Sequence, residues 1–213
     1  MQTVALIDYG SGNLRSAEKA LREAARRHAI DADIVVTADP KIVTAADRVV
    51  LPGVGAFASC RAGLDASGVY DAMNQAVHAK GAPFLGICVG HQLLASEGLE
   101  FGVTPGLDWI GGQVKKLEPN DPALTIPHMG WNAIAFARDH ALFKGVENGA
   151  HMYFANSFAL TPSNPEDVLA TTDHGGPFTA AVAKGNVAGV QFHPEKSQAA
   201  GLALLANFLE WRP

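Results

Sequence analysis

Cysteine is scarce in this chain: two residues in 213, Cys60 and Cys88, with no C-x-x-C spacing. That leaves out a disulfide scaffold and a thiolate zinc site, and it suits a reducing compartment. No run of Lys or Arg occurs and the formal net charge is −5, so neither a nucleic-acid footprint nor a polybasic membrane patch is expected. Long hydrophobic runs are missing too, and none approaches the length of a bilayer span. The start, Met1 to Asp8, has no basic stretch and its apolar run stops at Asp8, so it reads as a strand and not as a signal peptide. Eight histidines are present without H-E-x-x-H or paired Cys/His spacing, so no metal or cofactor is expected. Repeats, low-complexity tracts and long linkers are absent as well. What remains is a chain that is 48% hydrophobic, enough for a substantial core, and a single domain over residues 1–213 in the cytoplasm is the natural expectation.

The most informative stretch runs from Pro83 to Leu94. Phe84, Leu85 and Ile87 form a short apolar run, and Val89, Leu93, Leu94 and Ala95 follow at helical spacing, which predicts a helix to about Glu97. Between strand and helix, Gly86-x-Cys88-x-Gly90 has the form of a nucleophile elbow with Cys in place of the usual Ser. Such a turn needs a strained backbone at the nucleophile and small residues two positions either way. A thiol there points out of the sheet into the positive field of a helix start, which makes it a better nucleophile. The Val89 N–H, just past it, is placed to stabilise an oxyanion. Read alone, Cys88 is equally well a small buried hydrophobe.

Strands at Thr3 to Ile7, Asp33 to Val36 and Arg48 to Leu51 alternate with a helix from about Leu14 to His28 and another near Val69 to Lys80. This alternation is the mark of a mostly parallel sheet flanked by helices. Gly10-x-Gly12 suggests a dinucleotide loop, but Arg15 occupies the third glycine position, so a plain tight turn fits better. The third strand ends in Pro52-Gly53-Val54-Gly55, whose glycines bring backbone N–H groups close to a ligand. In open α/β sheets ligands sit beyond the carboxyl ends of the strands, so this loop and the Cys88 elbow belong to one crevice. Cys60 has no such context and reads as a packing residue. Beyond Gly98 the texture changes, and Gln113 to Leu117, Asn132 to Phe136, His151 to Phe158, Val168 to Thr172 and Phe178 to Ala183 read as added antiparallel strands. Pro127 to Asn132 is dense in unusual side chains, though a surface turn would look the same.

A last strand, Val187 to Phe192, ends on His193-Pro194-Glu195 before a helix from about Gln198 to Trp211. Pro194 favours an extended His193, and in extended chain His193 and Glu195 face the same way. A carboxylate beside an imidazole holds its tautomer and stabilises the imidazolium formed on taking a thiol proton. Alone, the pair also reads as a helix start with a capping acid.

In their order along the chain, Pro52-Gly53-Val54-Gly55, Gly86-Ile87-Cys88-Val89-Gly90-His91-Gln92 and His193-Pro194-Glu195 resemble the class I, triad-type glutamine amidotransferases, over nearly the whole chain. The resemblance implies a flavodoxin-like α/β fold, with a central, mostly parallel sheet flanked by helices and carrying additional antiparallel strands. It implies Cys88 as nucleophile, His193 as base and then acid, and Glu195 as its orienter. It also implies an oxyanion hole at Val89, Val54 and Gly53, with Gly53, Gly55, Gln92 and Ser157 holding glutamine. Within the class, Ile7 to Ser16, Leu51 to Phe57, Pro127 to Asn132 and Gly189 to Ser197 resemble the glutaminase subunits of imidazole glycerol phosphate synthases, the Pro-His-Met-Gly-Trp-Asn stretch being the most discriminating. That resemblance implies a heterodimer with a separate cyclase subunit, a (β/α)8 barrel that takes the ammonia, docked over Asn13, Trp131, Tyr153 and Lys196. It also implies little activity until the partner is loaded. If the Val54 amide is turned from the oxyanion position at rest, a missing donor of that kind lowers the rate about 100- to 1000-fold. The glycines at 53 and 55 would let that peptide flip, and a β-branched residue at Gly53 would alter activation and leave the thioester chemistry.

Three positions depart from these subunits: Asn156 where His is common, Phe158 where Tyr is frequent, and His91 where Met is more usual. Rival readings are a glutaminase subunit of another class I synthase, a stand-alone cysteine hydrolase of the same fold, and a catalytically silent binding subunit. The first is opposed by Pro127 to Asn132, and the last by the full set Cys88, His193 and Glu195.

Overall fold

The computed structural model describes residues 1–213. Along the chain, β1 (Gln2–Ile7) leads into α1 (Leu14–Arg27), β2 (Ala32–Thr37), α2 (Pro40–Ala45) and β3 (Arg48–Gly53). Next come α3 (Phe57–Ser67), α4 (Tyr70–Asn74) with a π-helical turn over Gln75–Ala79, β4 (Phe84–Cys88) and the single-turn α5 (Val89–Gln92). The strand-rich part holds β5 (Glu97–Gly98), β6 (Thr104–Pro105), β7 (Gly112–Lys116), β8 (His128–Ala133), β9 (Ala135–Phe136), β10 (His151–Asn156) and β11 (Phe158–Pro162). The chain closes with β12 (Val168–Asp173), β13 (Pro177–Lys184), β14 (Val187–Val190) and α6 (Gln198–Glu210).

The main sheet runs β2-β1-β3-β4-β14-β13-β12-β9. Its first five strands pair in parallel, and with β14 as the fifth they reproduce the flavodoxin-like order 2-1-3-4-5. The strands β13, β12 and β9 extend it antiparallel. Two smaller additions stand beside it: the antiparallel pair β10-β8, and the sheet β11-β7-β5-β6, antiparallel except where β7 and β5 pair in parallel. The expected architecture is therefore present. Central position explains the composition of β3 and β4: both are buried along their full length and, after Arg48 at the start of β3, read as continuous apolar or small residues. On α1, Ala17, Ala20, Leu21, Ala24 and Ala25 form the buried stripe, while Arg22, Arg26 and Arg27 pair with Glu18 and Glu23 on the solvent side. The helices α1 and α6 pack together, and α2 packs against α4. Buried residues of the parallel half, such as Leu85, and of the added strands, such as Phe154 and Leu160, belong to one contiguous apolar cluster.

Four local expectations fail. The helix after Cys88 ends at Gln92 and does not reach Glu97. The carbonyls of Leu93, Leu94, Ala95 and Ser96 accept N–H groups from Gly106 to Ile110 instead, so a long-range pairing outcompetes the next helical turn. The run His151 to Phe158 is not one strand: β10 and β11 break at Ser157 and join different sheets. The run Asn132 to Phe136 is divided as well: residues 128–133 form a strand paired with β10, and β9 joins the main sheet beside β12. The segment after Ala56, for which no helix was expected, forms α3 with buried Phe57, Cys60 and Leu64 at helical spacing.

The core contains one polar intruder beneath the elbow. His91, in α5, is fully buried, and neither ring nitrogen has a hydrogen-bond partner. Gly189 makes room for it, since a Cβ there would lie 2.6 Å from His91 Nδ1. Burial pushes its pKa down to about 3 from the ordinary 6.5, so the ring is neutral in the folded protein at neutral pH. The unfolded chain takes up a proton below pH 6.5 that the folded chain refuses until about pH 3, so stability falls as the pH drops through that window. Replacing His91 with Met, of similar volume and without polar atoms, is expected to stabilise the protein by about 1–3 kcal/mol at pH 7. The gain should grow on acidification from pH 6.5 toward 4, as read by denaturant melts at each pH; an unchanged difference between the two proteins would contradict this account.

Candidate active site

Cys88 closes β4 with φ 56° and ψ −112°, a backbone conformation that a non-glycine residue adopts only when its surroundings impose it. Those surroundings are backbone. A Cβ on Gly86 would lie 2.5 Å from the Gly90 carbonyl oxygen, and one on Gly90 would run into the Leu51 carbonyl. Gly53 sits opposite Cys88 in the β3–β4 register, and a Cβ on it would come within 2.7 Å of the Gly90 nitrogen and 2.8 Å of the Tyr9 hydroxyl. The three glycines therefore let β3 and the elbow interlock. A β-branched residue at Gly53 would push on the elbow itself, so it cannot separate activation from chemistry as expected from the sequence. Gly55, by contrast, has open space around it but a φ of 96°, and is required by conformation alone.

His193 follows β14, one strand over from Cys88, with extended dihedrals of −99° and 96°. Its Nδ1 lies 2.8 Å from Oε1 of Glu195, and both side chains are almost wholly buried. The pairing does not arise as the sequence suggested, because Glu195 lies in a 3-10 turn over Pro194–Lys196 and not in extended chain. The turn curls the carboxylate back under the ring. Burial works against a charged imidazole, but the contacts with Cys88 and Glu195 outweigh it and raise the His193 pKa to about 9. His193 is thus poised as an imidazolium between a sulfur and a carboxylate. With α5 reduced to one turn, the helix field invoked for Cys88 shrinks to the N–H groups of that first turn.

A cavity of about 350 Å³, within the range of small-molecule sites, opens over these residues. Of the residues expected from the sequence, Cys88, His193, Val89, Val54, Gly55, Gln92 and Ser157 line it. Gly53 does not, and acts through its close approach to the elbow. Lys196, expected on the partner face, also reaches the cavity wall. Its ammonium stands 5.2 Å from the Tyr153 ring, which in turn meets Trp131 edge to face at 5.9 Å. Lys196, Tyr153 and Trp131 hence form a continuous patch beside the cavity; Asn13 is exposed at the start of α1 and its side chain makes no cap hydrogen bond.

Three residues that sequence reasoning passed over stand out. Glu100 places a carboxylate on the cavity wall, steadied by the Phe57 N–H at 2.8 Å. Ser11 holds the glycine loop: the Val54 N–H donates to its Oγ at 3.3 Å, and that hydroxyl donates to the Val54 carbonyl at 2.7 Å. Cys60 joins them, 3.2 Å from Ser11 Oγ and 3.3 Å from the Val54 oxygen, so it is more than a packing residue. Gln191 lies 3.8 Å from the Cys88 sulfur. It precedes His193 by two residues, and the alternation of a strand would have placed it on the same side. For Glu100 and Ser11 no local pattern carried a signal. Asn156 lies on the cavity wall with its Oδ1 buried and unpartnered, and Phe158 contributes its carbonyl to Gln92.

A strained cysteine at a glycine elbow, beside a His–Glu pair at the carboxyl edge of a flavodoxin-like sheet, defines a thiol-dependent amide hydrolase site. The family model for class-I glutamine amidotransferases matches residues 5–211, and the chain belongs to this family. More particularly, the chain is 85% identical, over the full length of both proteins, to imidazole glycerol phosphate synthase subunit HisH of Caulobacter vibrioides. It is 58% identical to the HisH subunit of Rhodospirillum rubrum, with 99% of each chain covered. Among solved structures, a glutamine amidotransferase matches in fold with a TM-score of 0.69 at 20% identity, covering 97% of each chain.

Because the His193 pKa owes its height to Cys88 and Glu195 against burial, Glu195→Gln is expected to bring it down from about 9, read by NMR titration of the imidazole. The group is protonated in the folded state below that value, so the stability it contributes is present below pH 6.5 and is lost as pH rises through about 9. The variant should flatten that alkaline loss. A titration unchanged by the substitution would remove Glu195 from the role of partner.

Proposed function

We propose that this chain is the glutaminase half of an imidazole glycerol phosphate synthase, with Cys88, His193 and Glu195 as its catalytic triad and the whole chain acting as one domain. The single observation that carries the reading is the His193–Glu195 pair, joined at 2.8 Å, whose imidazole lines the same cavity as a cysteine held at an elbow φ of 56°. The 85% identity to the Caulobacter subunit supports the choice of synthase.

In this reading glutamine enters the cavity with its side-chain amide over Cys88. The thiolate attacks the amide carbon, and the oxyanion so formed faces the Val89 N–H. His193 gives its proton to the leaving nitrogen, ammonia departs, and a γ-glutamyl thioester remains. A water molecule, deprotonated by His193, then attacks the thioester and releases glutamate and Cys88. Glu195 holds the imidazole throughout. At the other end of the substrate, the Glu100 carboxylate is an acceptor for the α-ammonium group and the Lys196 ammonium a partner for the α-carboxylate. Ammonia passes to the cyclase subunit, a (β/α)8 barrel docked on the patch of Trp131, Tyr153 and Lys196 and on Asn13 as a heterodimer. There a phosphoribulosyl intermediate yields imidazole glycerol phosphate and an aminoimidazole carboxamide ribotide. No helix is long and apolar enough to cross a membrane. The cysteine usage suits a reducing compartment, and the activity is assigned to the cytoplasm.

The glycine loop supplies a physical reason for dependence on the partner. The Val54 N–H is engaged by Ser11, on the same β1–α1 loop as the partner-facing Asn13, so it is not free for the oxyanion at rest. A partner that shifts this loop would release the donor.

Glutamate release from glutamine by the chain alone, and then with the cyclase subunit and its nucleotide ligand, tests the reading. Low turnover alone, large stimulation in the complex and none in Cys88→Ala are expected; strong turnover alone would favour an uncoupled hydrolase. Ser11→Ala frees the Val54 N–H and is expected to raise partner-free turnover about tenfold or more, as part of the 100- to 1000-fold that one missing donor is worth. Partner-free turnover at or below the unmodified level would exclude Ser11 as the restraint.

A further inference from the structure

We propose that Gln191 is a further catalytic residue, whose side-chain amide donates a hydrogen bond to the Cys88 sulfur and favours the thiolate over the thiol. This rests on the reading of Cys88 as the nucleophile. Gln191 is fully buried one residue beyond β14, with Nε2 3.8 Å from Cys88 Sγ and its own backbone N–H fixed on the Ala180 carbonyl at 2.8 Å.

The direction of its amide follows from a chain of contacts that ends on a group of fixed polarity. The Phe158 carbonyl can only accept, so Gln92 must turn its NH2 group toward it, at 2.9 Å. That NH2 group also meets Gln191 at 3.0 Å, and only the Gln191 oxygen can receive it. The Gln191 NH2 group is therefore the end left to face the sulfur. Rotating either amide would set two donors or two acceptors against each other between two buried side chains, with the desolvation penalty of unpaired polar groups.

A hydrogen bond to an ionised acceptor is stronger than one to its neutral form, so the contact acts on the thiol–thiolate balance and not on packing alone. The other groups around the sulfur are His193, with Glu195 behind it, Glu100 and Lys196 on the cavity wall, and Tyr9 beside the glycine loop. With the proton held on His193, the Gln191 N–H binds the charge on the Cys88 sulfur. It loosens as the thioester forms and regains its partner when water expels the thiolate. Gln92, which lines the glutamine cavity, is joined through Gln191 to the nucleophile, so substrate contact and sulfur ionisation share one relay.

The test reads the sulfur without glutamine, so its failure would leave the glutaminase reading standing. The rate of Cys88 alkylation by iodoacetamide is followed against pH on the full chain, with Cys88 and Cys60 resolved by peptide mass mapping. In Gln191→Met, which keeps the volume and removes the donor, the midpoint should move up by about one pH unit while the plateau rate at high pH is retained. A purely structural role would change the plateau or the melting temperature and leave the midpoint in place, and that result overturns the proposal. If Gln191→Met does not fold, NMR of the unmodified chain decides. The Gln191 side-chain amide signals should follow the Cys88 titration and cease to do so once Cys88 is carboxamidomethylated, and an amide indifferent to both excludes the hydrogen bond.

Discussion

The site depends on one steric constraint: three backbones meet where β3, β4 and α5 converge, and no side chain fits between them. Gly86, Gly90 and Gly53 face the Gly90 carbonyl, the Leu51 carbonyl and the Gly90 nitrogen at distances that exclude a Cβ. This interlock forces Cys88 into its positive φ, and the positive φ in turn lifts the thiol out of the sheet toward the cavity. Strain of this kind, of order 1–3 kcal/mol, persists only where the surroundings over-determine it. Here the surroundings are two fully buried central strands.

Electrostatics follow from where the strands end. Since β4 and β14 are parallel neighbours, their carboxyl ends deliver Cys88 and His193 to the same edge, and the turn after Pro194 returns Glu195 beneath the imidazole. In this nearly dry setting the ring carries charge because a sulfur and a carboxylate flank it. The opposite case lies a few residues away from Cys88 in the sequence: His91, more deeply buried and without a partner, is held neutral. Burial acts on both rings, and neighbours alone decide the sign.

In the proposed function the glycine loop holds an oxyanion donor in reserve. Its backbone is tethered at two points, by the Tyr9 hydroxyl on the Pro52 carbonyl at 2.8 Å and by Ser11 on both polar groups of Val54. Ser11 and Tyr9 come from the loop after β1, and Cys60, which completes the network, from α3. A displacement of the first loop therefore reaches the loop that faces the nucleophile through direct hydrogen bonds.

By itself the sequence determined the parallel sheet, through continuous apolar runs alternating with amphipathic helices, and the elbow, through glycines at a spacing that only one kind of turn requires. It pointed to Cys88, His193 and Glu195 because their chemistry and backbone demands are local. Tertiary structure decided what depends on meetings between distant segments. The helix after Cys88 stops early because residues 106–110 claim its carbonyls. The strand pattern from His151 to Phe158 divides because its two halves find different partner strands. Glu100, Ser11 and Gln191 acquire their places only when loops and strands from separate parts of the chain close around one cavity, and no local periodicity encodes that closure.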